Sequence, residues 1–313
     1  PTSENGDPVF SNTSQYDVSV TAPSAWEVAA TGTVVANKVS GESRTQQVIT
    51  GPVRDFSIVA NSQFDSVSDV VDGTTVTSWF LPGDDRVGNA VLTYASQAIA
   101  LYSTLFGSYP YVEFDVVPVD LHGASGVEFP QLIYLAQSYY TADQSLDVPN
   151  YLDFTVAHEV MHQWWYGMVG NNQYLHAFTD EGLTNFVSSL IYFTQEYGED
   201  AGSKIFTGAC LSSFDASVKD GADQIVDTPT DAFDTTNDYV WAAYSKAPVG
   251  FDAIYNQIGE QAFVAGLADY LKENAFGIAQ PDDMLAAFEE ASGQDLTALW
   301  KHWFDERAGA YDV

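Results

Sequence analysis

Two histidines and a glutamate stand close together in the middle of this 313-residue sequence, in the pattern His158-Glu159-x-x-His162. In a helix, residues four apart lie one turn apart on the same face, so both imidazoles could bind one metal ion. Glu159 would then lie beside the metal, where its carboxylate could take a proton from a water on that metal. The pattern is the signature of a zinc peptidase helix.

A catalytic zinc ion needs a third protein ligand and keeps one open position. Glu181 follows His162 after eighteen residues, inside a second helical pattern, and we interpret it as this ligand. His176 is the alternative. Zinc peptidases with a third histidine use a shorter, glycine-containing spacing that this sequence lacks. Two helices must therefore position the metal site, one with the histidines and one with Glu181.

The patterning predicts an α+β protein with a domain boundary near residue 82. Residues 1–82 read as strands over 16–21, 26–32, 32–36, 44–50, 53–60 and 74–80, separated by turn residues every eight to twelve positions, typical of a β-sandwich or saddle-shaped sheet. They look like the last part of a larger β-domain. Residues 83–313 form the second predicted domain, which is mostly helical after residue 150. Its predicted elements are a helix over 87–106, a strand over 112–119, a Gly-rich loop over 123–130 leading into an edge strand, helices over 151–169, 180–197, 201–214, 244–259, 261–274, 282–292 and 295–304, and an irregular acidic loop over 220–238.

The composition is strongly acidic, with 43 Asp and Glu against 10 Lys and Arg and a net charge of −33. Such a surface repels nucleic acids and anionic membranes, so neither is an expected partner. The sequence has no run of eighteen apolar residues, so it predicts no transmembrane helix. The single cysteine, Cys210, cannot form an internal disulfide and is expected to be buried. The acidic charge, the single cysteine and a first residue other than Met favour a location outside the cytoplasm.

These residues together resemble the zinc aminopeptidases typified by membrane alanyl aminopeptidase, a gluzincin family that includes the leukotriene epoxide hydrolase. The resemblance covers nearly the whole chain. The similar segments are His158–Gly167 (zinc motif), Asp180-Glu181-Gly182 (the family's Asn-Glu-Gly), Gly123–Pro130 (the exopeptidase loop, nearest to bacterial forms reading Gly-Gly-Met-Glu-Tyr-Pro) and Val240–Ala247 (the catalytic tyrosine). The resemblance implies a thermolysin-like catalytic domain, one zinc ion per chain and peptide substrates.

The same resemblance implies roles for individual side chains. Glu128, with Gly123 and Ala124 of the same loop, would bind the free α-amine of the substrate. Tyr244 would donate its hydroxyl to the oxyanion that develops during hydrolysis. Tyr239 is the competitor for that role, but the Ser-Lys that follows Tyr244 favours Tyr244. The implied reaction is release of one N-terminal amino acid, with Glu159 as the general base.

Four positions depart from the family pattern. Phe129 and Gln131 replace an Asn and a Gly of the exopeptidase loop and should reshape the first specificity pocket. Asp180 replaces an Asn. Ser188 stands where the family often has a carboxylate that steadies a zinc histidine. The family's first strands and its helical C-terminal domain have no counterpart, so the chain resembles a fragment or a short secreted form.

Three other functions stay open. A thermolysin-type endopeptidase would share the zinc helix but would need no amine anchor, so Glu128 distinguishes it from an aminopeptidase. A hydrolase of a non-peptide substrate, such as an epoxide, is the second alternative. The third is a non-catalytic binding module with a degenerate peptidase domain. The presence of both Glu159 and Tyr244 argues against it.

Overall fold

The computed structural model describes residues 5–6, 10–141 and 143–307. Contacts divide the chain into two compact units. The β-rich unit comprises Thr13–Thr104 and Ser108–Gln163, and the helical unit comprises the described residues among Pro1–Asn12, Leu105–Gly107 and Trp164–Val313. The chain is thus a mixed protein of strands and helices, as the patterning predicts.

The β-rich unit contains three sheets. Its strands are β1 (Asp17–Pro23), β2 (Glu27–Ala30), β3 (Thr33–Ser40), β4 (Ser43–Ile49), β5 (Ile58–Asn61), β6 (Asp65–Val71), β7 (Thr74–Phe80), β8 (Glu113–Val119), β9 (Gly126–Phe129) and β10 (Leu132–Ala136). One sheet has the order β1-β4-β3, the second pairs β2 with β5, and the third has the order β6-β7-β8-β10-β9. The five-stranded sheet is mixed, because β7, β8 and β10 are parallel and the two edge strands are antiparallel to their neighbours.

Two helices complete the β-rich unit. Helix α1 (Asp85–Leu105) connects the parallel strands β7 and β8, and helix α2 (Tyr151–Met161) packs against β9 and β10. The pair β2–β5 contributes Ala29 and Val59 to a core cluster that also contains Val117 of β8 and Leu132 of β10. The five-stranded sheet therefore holds β9 between a packed core and the helix that carries the histidines.

The helical unit is built from short α-helices joined by π-helical stretches. They are α3 (Glu181–Phe186), α4 (Phe193–Tyr197), α5 (Glu199–Phe206), α6 (Ser212–Lys219), α7 (Thr236–Val240), α8 (Ala247–Ile258), α9 (Glu260–Asn274), α10 (Pro281–Ser292) and α11 (Thr297–Trp300), with π-helical stretches at Val187–Tyr192, Thr207–Leu211, Trp241–Lys246 and Lys301–Asp305. Stacked aromatic rings fill its core, as between Phe178 and Phe304, whose ring centroids are 4.8 Å apart. Among the described helices, none has the length and apolar character that a membrane crossing requires.

The main differences from the predicted secondary structure lie at three places. Strand β6 lies in a stretch for which no strand was predicted. Helix α2 ends at Met161 rather than at residue 169, and Tyr166 has a φ of 127°, which no helix accommodates. The predicted irregular loop 220–238 contains a 3₁₀ turn (Thr230–Ala232) and the start of α7. The predicted domain boundary at residues 82–83 falls between β7 and α1, inside the β-rich unit, and β7 pairs with β8 across it.

Candidate active site

Helix α2 is fixed at its beginning and in its middle. Asn150 caps its N-terminus, because the Oδ1 atom of Asn150 accepts a hydrogen bond from the backbone N–H of Asp153 at 2.9 Å. The hydroxyl of Tyr102, which is fully buried in α1, donates to the backbone carbonyl of Ala157 at 3.1 Å. The residue after Ala157 is His158, so α1 anchors the turn of α2 that presents the first histidine.

His158 in the last turn of α2 and His162 directly after that helix are suited to binding one metal ion. Both side chains are buried, and their Nε2 atoms lie 3.2 Å apart. Two nitrogens bound at about 2.0–2.1 Å to one tetrahedral zinc ion would be roughly 3.3 Å apart. The spacing between His158 and His162 therefore fits a shared zinc ion, with Nε2 as the ligand atom of both rings.

Two glutamates lie beside these histidines in the β-rich unit. One carboxylate oxygen of Glu128, one of Glu159 and one ring nitrogen of His162 all lie within 4.8 Å of one another. All three side chains are buried. Glu128 stands on the edge strand β9, not in a loop, and pairs with Ile133 of β10. The structure thus brings together the predicted general base, the predicted amine anchor and one predicted metal ligand.

The glycine-rich segment approaches Glu159 at Gly126. A β-carbon at residue 126 would overlap the carboxylate and the Cγ atom of Glu159. Gly123 and Ala124, which the resemblance places at the substrate amine, lie in the exposed turn before β9, and a β-carbon at Gly123 would meet nothing within 4 Å. Sequence reasoning therefore missed Gly126, whose lack of a side chain could be understood only from its packing.

The remaining predicted site residues belong to the helical unit. Glu181 is the first residue of α3, and the side chain of Asp180 accepts a hydrogen bond from the backbone N–H of Glu181 at 2.7 Å. A β-carbon at Gly182 would lie 2.6 Å from the β-carbon of Ala247 and 3.1 Å from the carbonyl oxygen of Ala243. The glycine of the Asp-Glu-Gly segment therefore lets α3 pack closely on the segment that carries Tyr244.

Asn185 joins this segment to α3 directly. Its Nδ2 atom donates to the backbone carbonyl of Tyr244 at 2.7 Å. Tyr244 lies in the π-helical stretch Trp241–Lys246, and such stretches are frequent at functional sites. Glu181 and Tyr244 are thus held on neighbouring elements of one packed unit.

Tyr244 and its competitor differ in their surroundings. The two rings meet edge to face, with centroids 5.9 Å apart. Tyr239 is buried, and its hydroxyl lies against the backbone of Gly6. Tyr244 is only partly buried. A hydroxyl that donates to a substrate must be accessible, so the surroundings favour Tyr244 over Tyr239.

Lys246 ties three segments together close to Tyr244. Its ammonium group, on a side chain that is 1% exposed, donates to the carbonyls of Gln224 at 2.6 Å and Glu306 at 2.8 Å and pairs with Asp223 at 2.9 Å. All three donors of the ammonium group are used. Sequence reasoning used Lys246 only as a motif residue; its role as a buried cross-link emerges from the structure.

Three further sequence expectations concern residues of the helical unit. His176, the alternative metal ligand, pairs through Nδ1 with Asp227 at 2.6 Å. Ser188 is buried, and its hydroxyl donates to the carbonyl of Thr184 within its own helix at 2.6 Å. Cys210 is buried as predicted, and burial raises the pKa of its thiol to about 12.

Comparison with known proteins adds a family match. The profile of the peptidase family M1 domain matches residues 91–303. The chain is 23% identical to aminopeptidase M1-D of Oryza sativa subsp. japonica, over 92% of this chain and 34% of that protein. It is 26% identical to aminopeptidase 2 of Candida albicans, over 71% of this chain and 24% of that protein. It is 25% identical to the alanine/arginine aminopeptidase of Saccharomyces cerevisiae, over 71% of this chain and 26% of that protein. The chain thus spans about a third or less of the length of these relatives.

Proposed function

Because the chain belongs to peptidase family M1, we propose that it is a zinc-dependent aminopeptidase that hydrolyses the N-terminal bond of peptides. The observation that carries this proposal is the buried carboxylate of Glu128, close to both Glu159 and His162. A carboxylate at that distance would attract the cationic N-terminus of a substrate and hold its first peptide bond near the general base. The names of the relatives support the same activity.

The metal in this proposal is zinc, held by His158, His162 and Glu181. The spacing of the two Nε2 atoms supports the histidine pair. The eighteen-residue separation and the family membership support Glu181 as the third ligand. When bound, zinc would supply Lewis-acid polarisation of the scissile carbonyl and of the attacking water.

The protein side chains would divide the remaining work. Glu159 takes a proton from the attacking water and delivers it to the leaving amine. The hydroxyl of Tyr244 donates a hydrogen bond to the oxyanion as charge develops there. Glu128 pairs with the α-ammonium group, so a substrate that lacks a free amine loses this interaction. A location outside the cytoplasm stays a prediction, supported by the acidic composition.

Hydrolysis of alanyl and leucyl anilides, with and without an N-acetyl group, tests the proposal. The experiment compares the wild-type chain with Glu159→Gln and measures zinc content alongside. We expect one zinc per chain in both proteins and no cleavage of the acetylated substrates. The loss of kcat in the variant should be about 10²–10⁴-fold, the usual contribution of a general acid–base residue.

The other outcomes have distinct meanings. Equal cleavage of acetylated and free substrates would overturn the aminopeptidase proposal in favour of an endopeptidase. Hydrolysis of a lipid epoxide in the absence of anilide cleavage would favour the non-peptide alternative. A protein that binds no zinc would contradict the proposed metal site.

A further inference from the structure

The hairpin that holds Glu128 closes through an unfavourable turn. Strands β9 and β10 are joined by Pro130 and Gln131 alone, and Phe129 pairs with Leu132 at the end of the ladder. Gln131 has a φ of 64°, a left-handed conformation that favours glycine. Proline followed by a left-handed residue is the pattern of a type II turn, whose twist matches hairpin strands poorly. The turn therefore needs support from outside.

Gln163 provides that support. Its side chain is 1% exposed. Its Oε1 atom accepts a hydrogen bond from the backbone N–H of Gln131 at 2.8 Å, and its Nε2 atom donates to the backbone carbonyl of Phe129 at 2.9 Å. One amide group thus bridges the two sides of the turn. The carbonyl of Gln131 is held separately by the backbone N–H of Asp115 at 2.9 Å.

The bridge connects two functional residues through their chain neighbours. Gln163 directly follows His162, and Phe129 directly follows Glu128. Because both hydrogen bonds have good lengths and Gln163 itself is buried, they fix the position of the β9 main chain relative to the end of α2, where His162 lies. Only a side chain that both accepts and donates can make this bridge, and the amide of glutamine does so at the required reach.

We propose that Gln163 is a positioning residue that sets the place of Glu128 relative to the metal-binding helix and so determines selectivity for a free α-amine. This inference rests on the proposed function, because it assumes that Glu128 binds the amine. Loss of the bridge would let the turn relax and move the Glu128 carboxylate. Displacements of about 1 Å in a positioned group can lower rates about 100-fold.

A pair of hydroxamates isolates the amine interaction. Leucine hydroxamate carries the α-amine, and 4-methylpentanehydroxamic acid lacks only that group. The ratio of their inhibition constants therefore reports amine recognition separately from metal binding. The proteins compared are the wild type, Glu128→Gln, Gln163→Met and Gln163→Glu. The control is Gln46→Met, which alters a buried glutamine of β4 in the same unit.

The expected results separate the inference from its premise. Glu128→Gln should reduce the preference for leucine hydroxamate about 10–100-fold, since a hydrogen bond to a charged group is lost. Gln163→Met should reduce it about 5–30-fold, with unchanged zinc content and little change for the amine-free inhibitor. Gln163→Glu, which keeps only the acceptor, should also reduce it, and this variant decides the matter if Gln163→Met does not fold. Gln46→Met should leave the ratio unchanged.

Three results would contradict these expectations in different ways. If Glu128→Gln leaves the ratio unchanged, the amine-binding premise in the proposed function is wrong. If Glu128→Gln lowers the ratio but both Gln163 variants keep the wild-type value, the inference about Gln163 is overturned and the proposed function stands. If Gln46→Met lowers the ratio of inhibition constants as much as the Gln163 variants do, the effect is a general one of core substitution, and the inference about Gln163 is also overturned.

Discussion

The main chain of Gly126 in β9 lies against the side chain of Glu159 in α2, so closely that a β-carbon on residue 126 would overlap the Glu159 carboxylate. The strand that carries Glu128, the proposed amine anchor, therefore also forms one wall beside Glu159, the proposed general base. Gly126 and Glu128 are two positions apart, with only Val127 between them, so both side-chain positions face the same side of the edge strand. A glycine at the first position leaves room for the Glu159 carboxylate.

Replacement of this glycine should impair catalysis more than folding. In Gly126→Ala the new methyl group displaces the Glu159 side chain from its Cγ atom outward, and rotation about the side-chain bonds of Glu159 can relieve the overlap without a change of backbone. A displaced base is poorly aligned for proton transfer, so we expect kcat to fall about 10–100-fold. Steady-state kinetics, zinc analysis and a thermal unfolding scan measure the three effects.

Gly51→Ala is the matched control in the same unit. A β-carbon at Gly51 would meet the ring of Tyr111 at 3.5 Å, an ordinary contact distance. This variant should keep wild-type kcat. If Gly126→Ala also keeps wild-type kcat, or if it loses zinc, the close packing on Glu159 does not have the catalytic consequence that we infer.

The proximity of the motif side chains could be predicted from sequence, whereas the contacts that hold them in place could not. His158, Glu159 and His162 follow from a short pattern, because one helical turn fixes their relation. Gly126 and Gln163 act through packing and hydrogen bonds to residues more than thirty positions away. Periodicity and composition carry no information about such pairs.

The fold shows the same division between local and distant determinants. Strand β7 and helix α10 lie within a residue of their predicted bounds. The alternating side chains of β7 and the glycine that ends α10, Gly293, are both local signals in the sequence. Strand β6 was missed because it is a mostly exposed edge strand without an apolar face. The predicted helix over 151–169 is longer than α2, which ends at Met161. Buried apolar residues continue through Val169, but their conformation is irregular.

The buried cross-link at Lys246 should be important for stability. In Lys246→Met, the Asp223 carboxylate loses its cation and the carbonyls of Gln224 and Glu306 lose their donor. Removal of one partner of a buried ion pair destabilises a protein by about 3–5 kcal/mol. We expect a loss of that size in urea unfolding monitored by circular dichroism.

An exposed ion pair of the same unit serves as the control. Lys301 and Glu306 are 3.1 Å apart, with side chains 63% and 50% exposed. Lys301→Met should change the free energy of unfolding by less than about 1 kcal/mol. Equal effects of Lys246→Met and Lys301→Met would refute a special role for the buried cross-link.

Asp115 in β8 should make stability depend on pH. Burial raises the pKa of its carboxyl to about 7, although a hydrogen bond from the indole of Trp79 at 2.8 Å acts in the opposite direction. In the unfolded chain an aspartate ionises near pH 4. Between these values the folded state holds a proton that the unfolded state has lost. The protonated Asp115 carboxyl therefore stabilises the folded state by its full amount below about pH 4, and this stabilisation is lost as the pH rises to about 7.

Asp115→Asn should remove this dependence. The amide oxygen can still accept the hydrogen bond from Trp79, and no charge has to be buried. We expect a gain of about 1–3 kcal/mol at pH 7.5 and almost none at pH 4. Denaturant unfolding at both pH values measures the difference. Asp65→Asn on the exposed edge strand β6 should alter stability by less than about 0.5 kcal/mol at both. A gain from Asp115→Asn that is equal at pH 4 and pH 7.5 would contradict the assignment.

The net charge of −33 should make folding depend on salt. Mutual repulsion among the carboxylates opposes the compact state, and dissolved ions screen it. The screening length falls from about 30 Å at 0.01 M to about 10 Å at 0.1 M salt. Most of the stabilisation should therefore appear below roughly 0.3 M, where sodium chloride and sodium perchlorate should act alike. We expect the unfolding temperature to rise by roughly 4–8 °C over this range, equivalent to about 2–5 kcal/mol at the unfolding entropy usual for a chain of this length.

Neutralising exposed carboxylates should reproduce part of this effect without salt. Glu42, Glu273 and Glu290 are exposed, and their joint replacement by Gln removes three negative charges with little change in packing. At 0.01 M salt the triple variant should unfold at a higher temperature than the wild type. At 0.5 M salt the two unfolding temperatures should be nearly equal, because the dissolved ions already screen the repulsion that the substitutions remove. Calorimetric scans of both proteins across the salt series measure this convergence. Parallel curves with a constant offset would show that the substitutions act locally and that repulsion is not what salt relieves.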